Sequence, residues 1–94
     1  MHAKDSLTVI WHKCHSVKYK INTSEILSIF GNTVKALRTE RGLSQERLAL
    51  EVGMDLTSIN ELEKGHRAPK LLTIIRLAYG LGVTPASLLE NLSS

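Results

Sequence analysis

Residues 44–65, SQERLALEVGMDLTSINELEKG, constrain the fold more than any other part of the chain. Two stretches of helical hydrophobic spacing, Leu48-Ala49-Val52 and Ile59-Leu62, each follow a residue suited to capping a helix N-terminus, Ser44 and Asp55. Each stops at a glycine, Gly53 and Gly65. Only a few residues around Gly53 separate the two. A link that short forces the helices to cross steeply instead of running antiparallel. Ala49 is small where the helices must approach, and Gly53 supplies the backbone freedom of the turn. With Val52, Ile59 and Leu62 turned inward, Leu56, Thr57, Ser58, Asn60 and Glu61 are left on or near the outward face of the second helix.

The flanking sequence supplies three more helices. Thr23 or Ser24 can cap one that carries Ile26, Ile29, Phe30, Val34 and Leu37 and ends at Gly42. Gly31 weakens it by about 1 kcal/mol relative to Ala, so its regular part is expected to begin near Ile29. Pro69 precedes a helix with Leu71, Leu72, Ile74, Ile75, Leu77 and Ala78 apolar, closed by Gly80 and Gly82. Thr84-Pro85 is an N-cap followed by Pro at the first helical position, where the missing N–H costs nothing. The helix it starts carries Leu88, Leu89 and Leu92. Five short helices joined by two to six residues predict a compact all-α domain over residues 23–94.

Residues 1–22 form an N-terminal extension of different character. Leu7, Val9, Trp11 and then Val17, Tyr19, Ile21 alternate, which is a strand period, with His12 to Ser16 as the connection of a hairpin. An isolated two-stranded hairpin is marginal in water, so a flexible arm is the equal alternative. The spacing of His12, Cys14 and His15 is not that of a zinc finger or ribbon, and no metal or other cofactor is expected.

Bulk properties narrow the function classes. Ninety-four residues suffice for one domain. One cysteine, Cys14, permits no internal disulfide. No apolar run approaches the roughly 20 residues of a membrane span, and no export signal is apparent, so a cytoplasmic protein is expected. The net charge is +3, with residues 29–94 near neutrality at eight basic and seven acidic groups. Charge alone does not point to nucleic acid. No nucleophile–base–acid set and no phosphate-binding glycine loop is present, so an enzyme is not expected.

In combination, Val34, Leu37-Arg38, Gly42-Leu43-Ser44-Gln45, Leu48-Ala49, Val52-Gly53, Ile59, Leu62-Glu63-Lys64-Gly65, Pro69, Leu77-Ala78 and Leu81-Gly82-Val83 form a specific pattern. On these residues the chain resembles the lambda-repressor-like helix-turn-helix proteins, the Xre or Cro class, over about residues 29–92. The resemblance implies a five-helix DNA-binding domain and a transcriptional regulator, mainly a repressor, reading an inverted-repeat operator on double-stranded DNA as a homodimer. It implies that Gln45 contacts phosphate or base, and that Leu56, Thr57, Ser58 and Glu61, with Asn60 beside them, face the bases. It places Arg67 and Lys70 against the DNA backbone. It also implies a buried ion pair between Arg38 and Glu63, joining the first helix to the end of the recognition helix.

The chemistry of these residues fits that assignment. Thr57, Ser58 and Asn60 can hydrogen-bond base edges, Leu56 can meet a thymine methyl, and Glu61 can only accept, as from cytosine N4. The recognition helix has no Arg or Lys before Lys64 and carries Asp55 and Glu61, so the affinity expected per subunit is modest. Dimerisation or the basic extension, with Lys13, Lys18 and Lys20, would offset this. Tyr79, Leu89 and Leu92 are either core or the surplus apolar surface of a two-fold interface. Two alternatives stand beside the regulator: the antitoxin of a toxin–antitoxin pair, with a toxin as protein partner, and a protein-interaction module that has lost DNA binding.

Overall fold

The computed structural model describes residues 21–93. The expected hairpin or arm, its lysines and the His12, Cys14, His15 group lie outside the described residues. Within them the chain forms α1 (Thr23–Glu40), α2 (Gln45–Val52), α3 (Leu56–Glu63), α4 (Leu71–Leu81) and α5 (Pro85–Leu89), closed by a 3-10 turn at Glu90–Ser93.

Local chemistry sets most of these boundaries. Ser44 Oγ accepts from the Arg47 N–H at 3.0 Å and Thr84 Oγ1 from the Ser87 N–H at 3.2 Å, each replacing a hydrogen bond the first helical turn lacks. Asp55 Oδ1 does the same for the Ser58 N–H at 3.3 Å. The cap of α1 is Asn22, whose Oδ1 accepts from the Glu25 N–H at 3.0 Å, and not Thr23 or Ser24. Lys70 begins α4 with no side-chain cap. The link between α3 and α4 runs from 64 to 70, slightly longer than expected.

Two glycines behave differently from the expectation. α1 continues unbroken through Gly31 for 18 residues. A Cβ at Gly31 would lie 2.5 Å from the Leu62 carbonyl oxygen and 2.6 Å from that of Glu63. The glycine thus lets α1 press against the C-terminal end of α3, and this packing offsets its poor helix propensity. Gly80 lies inside α4, where a Cβ would collide with Val52 of α2; the helix ends at Leu81, capped by Gly82.

The core is filled from all five helices by Phe30, Val34, Leu48, Ala49, Val52, Ile59, Leu62, Leu77, Ala78, Leu81 and Leu88. Fully burying a Leu or Ile contributes roughly 1.5–3 kcal/mol, so these few residues carry the domain. Leu92 packs at the edge of this core. Leu71 and Leu72 instead stand in solvent, as does Tyr79, which is 84% exposed. Among the described residues no single helix is long and apolar enough to cross a membrane.

Candidate nucleic-acid interface

The turn between α2 and α3 is three residues long, Gly53 to Asp55. Gly53 takes φ 71°, a left-handed conformation that costs other residues about 1 kcal/mol or more, and Met54 N–H returns to the Ala49 carbonyl at 2.9 Å. Ala49 is buried beneath this turn. Asp55 then restarts the chain as α3.

α3 divides into two faces. Ile59, Leu62 and Glu63 are buried. Leu56, 43% exposed, and Thr57 stand in solvent at the start of the helix, while Ser58, Asn60 and Glu61 are half-buried along its flanks. The first turn is therefore the part of the helix open to a groove.

The buried end is held by a charge network. Arg38 Nε donates to Glu63 Oε2 at 2.6 Å and Arg38 Nη2 to Glu63 Oε1 at 3.0 Å, a bidentate pair between α1 and α3. Arg38 Nη1 also donates to the Leu43 carbonyl at 2.7 Å. Gln45 Nε2 donates to Glu63 Oε1 at 2.9 Å, and Asn60 Nδ2 donates to Gln45 Oε1 at 3.2 Å. Every buried side-chain nitrogen and oxygen among the described residues has a partner. A satisfied network of this kind holds three helices in one arrangement. Gln45 thus turns its amide inward, with one Nε2 hydrogen left over. The inward bond of Asn60 leaves its Oδ1 and a second N–H.

At the other end of α3, Arg67 reaches back from the following loop, and its Nη1 donates to Ser58 Oγ at 2.7 Å. The Asp55 carboxyl is held below the ordinary aspartate range, first by hydrogen bonding with the Ser58 side chain. Desolvation opposes this, and backbone N–H groups and then the positive Arg67 add to the lowering. Glu61 is faced by His66, with Nδ1 3.5 Å from Oε1. Lys70 is exposed at the start of α4.

Sequence reasoning missed the Gln45–Asn60 bond, the Ser58–Arg67 bond and the placing of His66 beside Glu61. The signal for the first was the three-residue spacing of Asn60 and Glu63, which puts both on one side of α3. The other two depend on the path of the loop after Gly65, for which the sequence carries no comparable signal.

Two short capped helices crossing at a glycine turn, the second with a polar, open start, form a helix-turn-helix motif. The helix-turn-helix family model matches residues 34–88. The chain belongs to the helix-turn-helix family. Within that family it is 36% identical over 64 residues to control protein C.MunI of a Mycoplasma species, covering 67% of this chain and 86% of that protein. It is 36% identical over 69 residues to control protein C.BamHI of Bacillus amyloliquefaciens, covering 72% and 85%. The crystal structure of the restriction-modification controller protein C.AhdI from Aeromonas hydrophila superposes with a TM-score of 0.65 at 40% identity, covering 66% of this chain and 94% of that one.

Proposed function

We propose that this chain is a sequence-specific DNA-binding regulator of transcription, acting in the cytoplasm on the nucleoid and mainly as a repressor. It reads an inverted-repeat operator as a homodimer. The observation that carries this reading is the division of α3: its last turn is locked to α1 and α2 through Glu63, while Leu56 and Thr57 at its first turn stand open to solvent. A rigidly held helix with an accessible N-terminal turn is what insertion into a major groove requires. The similarity to control proteins supports a regulator over a protein-docking module, and makes genes of a restriction-modification system the first targets to examine.

In this reading Leu56, Thr57, Ser58, Asn60 and Glu61 face the bases. Lys70 and Arg67 lie along the backbone, and the spare Nε2 hydrogen of Gln45 meets a phosphate. Asn60 retains one donor and one acceptor, the pattern that pairs with adenine N7 and N6. Leu72, Tyr79 and Leu89 are exposed apolar groups available to a second copy. The deciding experiment is selection of bound duplexes from a random pool, with complex mass measured by light scattering. A dimer bound to two half-sites about 34 Å apart, one DNA turn, is the expected result. A protein that enriches no sequence, even in dilute salt, refutes it.

A further inference from the structure

Two side-chain amides, Gln45 and Asn60, are chained to the ion pair at the end of α3. Glu63 Oε2 accepts from Arg38 Nε at 2.6 Å, while Glu63 Oε1 accepts from Arg38 Nη2 at 3.0 Å and from Gln45 Nε2 at 2.9 Å. Gln45 Oε1 in turn accepts from Asn60 Nδ2 at 3.2 Å. The direction of this chain has one chemical cause. A carboxylate paired with a guanidinium only accepts, so Gln45 must turn its nitrogen toward Glu63 and its oxygen away. Asn60 then meets an oxygen and must turn its own nitrogen toward it. Reversing either amide would set two acceptors face to face. Glu63 is buried, and both amides are half-buried.

We propose that Glu63 is a positioning residue for base recognition: it fixes the sense of the Gln45 amide and, through it, that of the Asn60 amide, so that Asn60 offers the groove a single order of acceptor and donor. The groups left over on Asn60 are Oδ1 and one N–H. In that fixed order they match N6 and N7 of adenine. A free asparagine amide turns end for end, and with acceptor and donor exchanged it can span cytosine N4 and guanine O6 instead. The chain from Glu63 removes that freedom. Because Glu63 is buried, its effect on specificity passes through Gln45 and Asn60. This inference rests on the DNA-reading function proposed above and adds what sets the specificity of one of its contacts.

The test compares the full-length chain with Asn60→Ala, Gln45→Met, the double variant of these two, and Arg38→Met/Glu63→Met. Gln45→Met keeps the length of the side chain and leaves the ion pair intact. Replacing both members of a buried pair by apolar groups leaves no charge unpaired and is often neutral in stability. Each protein is assayed for relative affinity to all single-base variants of the selected operator, with folding checked by circular dichroism. Asn60→Ala is expected to lose about tenfold preference for adenine at one base pair per half-site, the worth of a base-edge contact. Gln45→Met and Arg38→Met/Glu63→Met are expected to lose preference at that same base pair, and the Asn60–Gln45 double variant no more there than Asn60→Ala alone. A Gln45→Met protein that binds every sequence more weakly with that preference intact overturns the proposal, and so does a folded Arg38→Met/Glu63→Met protein that keeps it. Additive loss in the double variant overturns it too, by making Gln45 a base reader in its own right. The same holds for an Asn60→Ala protein with unchanged preferences, or a preferred base other than adenine at the pair it affects. A wild-type chain with no preferred sequence overturns the DNA-reading function itself, and the inference with it.

Discussion

Arg38 in the last turn of α1 and Glu63, the last residue of α3, form a bidentate ion pair at 2.6 and 3.0 Å, with side chains only 10% and 3% exposed. The pair does not need to add net stability to matter, because desolvation consumes much of its Coulomb energy. Its asymmetry is what counts. Glu63→Ala leaves the Arg38 guanidinium buried with only the Leu43 carbonyl as partner, and removes the acceptor of Gln45. The expected loss is about 3–5 kcal/mol, a large part of the 5–15 kcal/mol that holds a domain together. Urea unfolding followed by circular dichroism measures it. A loss below about 1 kcal/mol would mean that water reaches Arg38 and the pair is not a desolvated lock.

Gly31→Ala is a second test of how α1 sits on α3. In an exposed helix this change gains about 1 kcal/mol. Here the added methyl would stand 2.5 and 2.6 Å from two backbone carbonyl oxygens, which cannot rotate away as a side chain can. The helices must separate, and overpacking of this kind costs about 1–3 kcal/mol. The net expectation is destabilisation, read as a lower urea midpoint. A raised midpoint would show that α1 and α3 do not approach as closely as Gly31 allows.

Asp55 gives the stability of α3 a pH dependence of known sign. Its carboxyl titrates below the ordinary aspartate value in the folded protein, first because of its hydrogen bonding with Ser58. A depressed folded pKa contributes stability that is present above the unfolded value, near pH 4, and is lost as pH falls through the folded one. Asp55→Ala should therefore destabilise the chain at neutral pH, and the gap to wild type should narrow as the solution is acidified below about pH 4. Thermal melts across that range check it. A gap that stays constant would mean that the cap acts without its charge.

Much of this architecture is legible locally, and the exceptions share one physical cause. Ser44, Asp55 and the Thr84-Pro85 pair mark helix starts because a cap bonds to its own first turn, within three residues. Asn22 is less legible because Thr23 and Ser24, equally able to cap, stand next to it. In sequence Gly31 reads as a weak point of the first helix and Gly80 as part of the close of the fourth. Their reason for being there lies in carbonyls and a valine that arrive from other helices. The site divides in the same way. The open start of α3 follows from the hydrophobic period of Ile59 and Leu62. The inward turn of Gln45 depends on how α2 lies against α3, and the hold of Arg67 on Ser58 depends on the path of an irregular loop.

Thr57 and Lys70 separate reading from holding. Thr57 is exposed at the first turn of α3, with a hydroxyl able to meet a base edge and a methyl able to meet thymine. Lys70 is exposed at the start of α4, where an ammonium can act as a point charge on phosphate. Thr57→Ala should reduce discrimination between the operator and its single-base variants by about 1–3 kcal/mol, leaving non-specific binding unchanged. Lys70→Ala should weaken operator and scrambled duplexes alike and lower the slope of log affinity against log salt by about 1, the release of one counterion. Titration of both variants against both duplexes at several salt concentrations measures the two effects on separate axes. A Thr57→Ala protein that loses affinity equally for every duplex would place Thr57 against the backbone. A Lys70→Ala protein whose loss is confined to the operator would place Lys70 in the groove.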